Sequence, residues 1–253
     1  IRRAELGLIA SLGIGEISIY RPLRVAFFPT GDELRSIGSP LGEGQIYDIN
    51  RYTIYGMLVK LGCEVYDMGV IADDPTLIEN AFADASKIAD VVITSGGVSV
   101  GEADFVKQML NKLGEVLFWK IAMKPGRPMA YGKIGNAHFF GLPGNPVAVM
   151  VTFYQFVREA LLVLMGRTSI DPIPTLKVLC TSPIKKVPGR TEFQRGILSQ
   201  DANGVWMVKV TGDQGSGILK SMSDANCFIV LQQAQGNIEA GAMVDVQLFE
   251  GVT

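Results

Sequence analysis

A glycine-rich stretch, Thr94 to Phe105, carries the residue types and spacing best suited to chemistry in this chain. An apolar run, Val91 to Ile93, precedes it and a helical apolar pattern follows it, which predicts a strand, a turn and a helix N-terminus. Backbone N–H groups and the helix dipole favour an anion at such a turn, and glycines let a ligand approach the backbone. Ser95 and Ser99 add hydroxyls, and Asp104 stands where a helix cap would. The stretch therefore indicates either an anion-binding loop or a tight turn with Asp104 as a plain cap.

Two acidic segments and one basic turn accompany that loop in the sequence. Thr30-Gly31-Asp32-Glu33 follows a buried apolar run, and Asp73-Asp74 comes just before a helical pattern that begins at Pro75. Carboxylates beside a phosphate usually hold Mg²⁺ together with water. Lys124-Pro125-Gly126-Arg127 places two cations on a stiff turn. Together these groups suit a phosphate ester and a second anion; the alternatives are a helix-cap role for one aspartate and a solvated charge pair for the basic turn.

The composition argues against several classes of function. The 253 residues are 48% hydrophobic and 19% charged, as in a globular protein of one or two domains. A net charge of −2 argues against a nucleic-acid or membrane-surface binder, so an anion site must be a local basic pocket. Cys63, Cys180 and Cys227 are odd in number and far apart, which predicts no disulfide framework or zinc site and favours a reducing cytoplasm. The single histidine, His138, lies in an apolar run, so a Ser-His-Asp mechanism has little basis.

Strands that alternate with helices must position these residues, a pattern typical of a doubly wound, mostly parallel sheet. Apolar runs predict strands at 25–28, 65–68, 91–93, 116–119, 129–134 and 137–140. Helical spacing predicts helices at 3–12, at 54–61, from 75 onward and from 146 to about 165. Ligands lie beyond the carboxyl ends of the strands in such sheets. We expect the glycine-rich loop, the two acidic segments and the basic turn to lie there.

The chain divides into three predicted parts. Residues 1–22 read as the remnant of a preceding domain and a connector, because the chain begins at Ile1 rather than Met, and we expect a fragment of a longer protein. Residues 23–168 form the α/β domain; its uncharged run 139–157 is broken by glycine and proline, so it is not predicted to span a membrane. Residues 169–253 form a small all-β domain, a barrel or a sandwich, with short runs at 176–181, 193–198, 205–210, 228–231 and 244–249.

Four ordered motifs resemble the molybdenum cofactor biosynthesis domain. They are Pro-Thr-Gly-Asp-Glu-Leu from Pro29, Thr-Ser-Gly-Gly-Val-Ser-Val-Gly-Glu-Ala-Asp from Thr94, Met-Lys-Pro-Gly-Arg-Pro from Met123 and Gly-Leu-Pro-Gly-Asn-Pro-Val from Gly141. Pro188 to Gly196 and the terminal β domain narrow the resemblance to the molybdopterin molybdenumtransferases, the MoeA family, whose eukaryotic counterpart is the gephyrin E domain. The resemblance covers essentially the whole chain.

The resemblance implies insertion of molybdate into adenylylated molybdopterin, with Mg²⁺-dependent cleavage of the pyrophosphate link and release of AMP. It implies catalytic roles for Glu33, Asp74, Asp104, Lys124 and Arg127, of which the three carboxylates would hold the metal. Ser99, Arg190 and Ser216 would join the two cations around the oxyanion. The residues implied to bind the cofactor are Thr30, Gly31, Asp32, Ser95, Gly96, Gly97, Val98, Ser99, Gly101, Pro143, Gly144, Asn145, Pro146, Arg190 and Ser216.

Two departures and two rival functions accompany the resemblance. Ala148 stands where relatives commonly carry Ser, and the chain lacks the family's additional N-terminal domains. In the family the cleft lies near a homodimer interface and the partner's N-terminal region helps to form it, so a complete site is not assumed. One rival function is that of a molybdopterin adenylyltransferase, which performs the preceding step, and the β domain argues against it. The resemblance also implies that such an adenylyltransferase is a partner of the family. A gephyrin-like scaffold that binds partner peptides is the other rival.

Overall fold

The structure, a computed structural model, describes residues 1–96 and 114–249. The strands of its first part are β1 (Arg24–Pro29), β2 (Leu34–Arg35), β3 (Ile46–Tyr47), β4 (Glu64–Asp67), β5 (Val91–Ser95), β6 (Gly114–Lys120), β7 (Met123–Lys124), β8 (Pro128–Ile134) and β9 (Ala137–Leu142). The strands of its second part are β10 (Leu176–Cys180), β11 (Thr191–Gln200), β12 (Trp206–Val210), β13 (Cys227–Leu231) and β14 (Met243–Leu248). The helices are α1 (Arg3–Ser11), α2 (Asn50–Lys60), α3 (Pro75–Ile88), α4 (Pro146–Leu164) and α5 (Lys220–Asp224).

The first sheet has the strand order β4-β1-β5-β9-β8-β6. Strands β4, β1, β5 and β9 run parallel, whereas β8 is antiparallel to both β9 and β6. The predicted doubly wound, mostly parallel sheet is therefore confirmed. Its antiparallel exception is the hairpin β8–β9, whose predicted two-residue turn is Gly135-Asn136.

Helices cover both faces of this sheet because its strands are apolar on both sides. Phe28 packs edge-on against Phe82 of α3, with ring centroids 5.1 Å apart. Phe27, the neighbouring residue of β1, belongs instead to the core cluster of α2 and α4, which contains Ile54 and Val149. Successive side chains of a strand point to opposite faces, so one apolar strand supplies two cores.

Sequence signals explain where α2 and α3 lie. Helix α3 begins at Pro75, and its predicted cap Asp74 accepts hydrogen bonds from the backbone N–H groups of Thr76 and Leu77 at 2.8 and 2.9 Å. Helix α2 begins at Asn50, one turn before the predicted residue 54, because its first turn is polar and outside the apolar periodicity. Gly62, predicted as the C-cap, has a φ of +81° just after α2.

Helix α4 is continuous but contains a π-helical turn at Phe153–Val157. In the described part of the chain it is the one helix long and apolar enough to cross a membrane, with 19 residues and a mean hydropathy of 1.7. More than half of that window, 56%, is buried inside the protein, as in a core helix.

The second part is a closed barrel, which decides between the predicted barrel and sandwich. Its order is β12-β10-β14-β13-β11, and β11 also pairs with β12 and so closes the ring. The first half of β11 pairs with β13 and the second half with β12, and both pairings meet at Gly196. A Cβ atom at Gly196 would lie 2.9 Å from the side chains of Ile229 and Val208, so glycine is needed at this crowded corner.

The two parts of the chain are joined by a strand pair and by a shared core. Strand β7 adds to the edge of β11, with Met123 opposite Thr191 and Lys124 opposite Glu192. The cluster around α4 also takes in Phe193 and Phe228 of the barrel. The α/β part therefore holds the barrel in a fixed position, while the predicted domain boundaries remain a prediction.

Candidate functional site

A cavity of about 410 Å³ opens at the carboxyl ends of β1, β5 and β9. Pro29 lies opposite Ser95 and Ser95 opposite Leu142, so three strands end level with one another. Their following loops leave the sheet side by side, as a doubly wound sheet places its ligand site. The residues that line the cavity are Thr30, Glu33, Leu34, Ile46, Tyr47, Asp48, Ile49, Asn50, Ser95, Gly96, Gly144, Asn145, Pro146 and Gly217.

The cavity brings together seven of the sequence-predicted residues. They are Thr30, Glu33, Ser95, Gly96, Gly144, Asn145 and Pro146. Gly31, Asp32, Asp74, Pro143, Lys124, Arg127, Arg190 and Ser216 do not line it. Gly97, Val98, Ser99, Gly101 and Asp104 lie outside the described residues, so their roles stay predictions.

Glycine is required where β5 ends. Gly96 has a φ of +91°, and a Cβ atom there would lie 2.6 Å from the carbonyl oxygen of Thr30. Its N–H donates to the carbonyl of Leu142 at 3.2 Å and is therefore already used. Any anion cradle in this loop must consequently be built by the N–H groups that follow Gly96.

Sequence reasoning missed the stretch from the end of β3 to the start of α2, which contributes Tyr47, Asp48 and Asn50 to the cavity. Asp48 is 1% exposed, and its Oδ1 accepts a hydrogen bond from the N–H of Arg51 at 3.1 Å in the first turn of α2. Burial raises the pKa of the Asp48 carboxyl. Two Asx residues just before an apolar helical pattern are a helix-start signal that pointed to this segment.

An acidic group forms beside the cavity. The Oδ1 atom of Asp32 accepts a hydrogen bond from the backbone N–H of Asp73 at 3.0 Å. The pKa of Asp73 is raised by burial and also by the negative charges of Asp32 and Glu33. Asp74, which the resemblance assigned to the metal, instead uses its Oδ1 to cap α3. Residues 1–96 and 114–249 contain no group of three or more His, Cys, Asp or Glu arranged as a metal site, so the metal roles of Glu33, Asp74 and Asp104 stay predictions.

The basic turn packs against α4, whose first residue, Pro146, lines the cavity. Gly126 has a φ of +95°, and a Cβ atom there would lie 2.5 Å from the Oγ1 of Thr152 in α4. Lys124 Nζ lies 3.6 Å from the buried Oε2 of Glu192 in the barrel. Arg127 is exposed at the other end of the turn. The turn therefore bridges α4 and the barrel.

A loop of the barrel, residues 211–217, reaches the cavity and was not predicted as a unit. The N–H of Val147 donates to the carbonyl of Ser216 at 3.0 Å, and Gly217 forms part of the cavity wall. Arg195, 1% exposed, holds this loop through a bond from its Nη2 to the carbonyl of Gly215 at 3.0 Å. Burial lowers the pKa of Arg195 to about 10.

Family models and known relatives agree with this architecture. The model described as a probable molybdopterin binding domain matches residues 26–163, more than half of the chain. The chain belongs to the molybdopterin-binding domain family. A second model, the MoeA C-terminal region (domain IV), matches residues 177–249, so the barrel follows the molybdopterin-binding domain as in MoeA.

Several relatives of this chain are named molybdopterin molybdenumtransferases. A molybdopterin molybdenumtransferase from Haemophilus influenzae is 50% identical over 97% of this chain and 61% of its own length. One from Nostoc sp. is 33% identical over 95% of this chain and 56% of its own length. A crystal structure of a molybdopterin biosynthesis MoeA protein from Pyrococcus horikosii has a TM-score of 0.82 at 30% identity and covers 98% of this chain and 60% of that one. The chain thus spans about 60% of the length of the relatives it matches.

Proposed function

We propose that this chain is a molybdenum insertase, which transfers molybdate into adenylylated molybdopterin and releases AMP. The proposal is supported by the name that relatives up to 50% identical share. The observation that carries it is the cavity itself, which is walled both by loops of the molybdopterin-binding domain and by Gly217 of the barrel. The presence of the barrel, which supplies this second wall, argues against the rival function of a molybdopterin adenylyltransferase.

The acidic group beside the cavity suits Mg²⁺. Burial raises the pKa of Asp73, and the negative charges of Asp32 and Glu33 raise it further, so a divalent cation would relieve the repulsion among these carboxylates. Carboxylate oxygens are the ligands that this ion prefers. In our proposal Glu33 and Asp73 hold the ion, with Asp104 as a further ligand in keeping with the family resemblance. When bound, Mg²⁺ neutralises the charge that develops as the pyrophosphate link breaks.

The two cations of the basic turn are proposed to hold molybdate. Arg127 is exposed and its guanidinium fork can donate to two oxygens of a tetrahedral oxyanion. Lys124 acts as a compact charge that Glu192 keeps in place. Arg190, in the turn before β11, and Ser216, in the barrel loop, would complete this oxyanion site, and Ser99 would add its hydroxyl.

The proposed setting follows from the same reaction. An adenylylated substrate must come from a molybdopterin adenylyltransferase, which we propose as the partner that acts one step earlier. We further propose that the protein works as a homodimer in the cytoplasm. Neither nucleic acid nor a membrane enters this proposal.

The decisive assay measures AMP released from adenylylated molybdopterin after molybdate is added in the presence of Mg²⁺. Glu33→Gln should lower the rate at least a hundredfold, because a neutral amide cannot balance the charge of the ion near the breaking bond. Glu239→Gln, the same change at an exposed barrel turn, serves as the control and should leave the rate unchanged. Consumption of ATP in the presence of molybdopterin, without AMP release from the adenylylated form, would contradict the proposal.

A further inference from the structure

Three residues that line the cavity each carry one buried side-chain atom that has no hydrogen-bond partner within the described residues. These atoms are Oδ2 of Asp48, Oδ1 of Asn50 and Oγ of Ser95. Their residues are 1%, 8% and 1% exposed, respectively. Buried polar atoms in native proteins are almost always paired, so an unpaired group at a cavity points to a partner that arrives from outside.

In Asp48 and Asn50, only one of the two polar side-chain atoms has a hydrogen-bond partner in the described structure. Asp48 uses Oδ1 to hold the first turn of α2, which leaves Oδ2 without a structural task. Asn50 uses Nδ2 to donate to the carbonyl of Gly144 at 2.7 Å, and this bond fixes the orientation of its amide. The remaining oxygen, Oδ1, is the unpaired atom. Both residues therefore carry a hydrogen-bond acceptor that has no partner among residues 1–96 and 114–249.

This end of the cavity is unsuited to phosphate. The N–H of Gly96 is bonded to Leu142 and the N–H of Val147 to Ser216, so neither can donate to an anion. Asp48 and Asn50, which carry a carboxylate and an amide group, both line this end of the cavity. Such a wall attracts hydrogen-bond donors and repels negative charge.

The remaining walls favour a ring. Leu34, Ile46 and Ile49 border the cavity beside the two acceptors. Ring-binding pockets commonly combine apolar walls with a few polar groups that fix orientation. A ligand with a planar or sugar ring whose edge offers N–H or O–H donors matches both features.

We propose that Asp48 and Asn50 bind the donor-bearing ring of the ligand and so fix its orientation in the cavity. This inference rests on the proposed function, whose substrate offers two such edges. One is the amino-pyrimidinone edge of the pterin, with two adjacent N–H donors; the other is the pair of vicinal ribose hydroxyls. Either edge satisfies a carboxylate and an amide oxygen.

Asp48→Asn tests the inference with little structural change. The asparagine oxygen can keep the bond from the N–H of Arg51, because asparagine caps helices as well as aspartate does. Its NH₂ group then replaces Oδ2 at the cavity and opposes the donors of the ligand. We expect ring binding to weaken tenfold to a hundredfold, the usual effect of losing a charge-assisted hydrogen bond. Thermal stability should stay equal or rise, since a buried carboxylate is removed.

The measurement is a calorimetric titration of the 253-residue protein and the variant with AMP, with a phosphate-free 6-substituted pterin and with Mg²⁺ alone. Weaker pterin binding assigns the pterin edge, and weaker AMP binding assigns the ribose. Asp201→Asn is the matched control, because Asp201 also accepts backbone bonds, from Asn203 and Val205, in an exposed barrel turn.

Three results would overturn the inference. Unchanged binding of both organic ligands would make Asp48 a cap only, and a loss confined to Mg²⁺ would make the group a cation site. If the unmodified protein binds neither ring, no such subsite exists. AMP release on adding molybdate, measured in parallel, shows whether the proposed function survives that failure.

Discussion

The two neighbouring aspartates beside the cavity, Asp73 and Asp74, have different surroundings. Asp74 caps α3, and Asp73, the residue before it, lies within the electrostatic influence of Asp32 and Glu33. The folded pKa of Asp73 is raised above its unfolded value. Its contribution to stability is therefore fully present below the unfolded pKa and is lost as the pH rises through the folded pKa.

Asp73→Asn should remove that pH dependence. Without Mg²⁺, the free energy of unfolding of the variant should match that of the unmodified protein in acid. Above the folded pKa, the free energy of unfolding of the variant should exceed that of the unmodified protein, because the variant buries no charge and meets no repulsion from Asp32 and Glu33. Urea titrations between about pH 4 and 8 measure the difference. A constant difference across that range would mean that the acidic neighbours do not act on Asp73.

At the level of elements, the turn between β7 and β8 has to meet α4 closely. Gly126 combines a positive φ with a predicted Cβ contact of 2.5 Å to Thr152 Oγ1. Gly204, in the turn between β11 and β12, has a similar φ of +81° but no atom within 4 Å of an added Cβ. Comparing substitutions at Gly126 and Gly204 therefore separates the cost of backbone strain from the cost of steric crowding.

Gly126→Ala should destabilise the protein more than Gly204→Ala. Both variants incur the left-handed backbone cost of about 1–2 kcal/mol, and only the first adds a clash with α4, which overpacking data put at about 1–3 kcal/mol. Equilibrium unfolding in urea gives both values. Equal losses would show that the basic turn is not pressed against α4.

Across the whole molecule, local signals predicted most of the longer elements, whereas the short strands β2, β3 and β7 and the five-residue helix α5 were not predicted. The cap at Asp74, the Gly135-Asn136 hairpin and the parallel sheet could be predicted because each depends on neighbouring residues or on hydrophobic period. The β7–β11 pair joins residues about 68 positions apart, and no local pattern encodes it. Asp48 and Asn50 were missed for a related reason: their unpaired oxygens become visible only when α2 is placed beside Gly144.

The shared core gives the two parts of the chain one fixed relation, and this relation brings Gly217 to the cavity. The central claim is that the cavity between them transfers molybdenum at the expense of a pyrophosphate link. The most direct test is the ratio of AMP released to molybdenum retained in the pterin product, measured on the same sample by chromatography and elemental analysis. We expect a ratio of about one. Without molybdate, we expect neither AMP release nor a molybdenum-containing pterin. AMP release that proceeds equally without molybdate, or with no molybdenum in the product, would contradict the central claim.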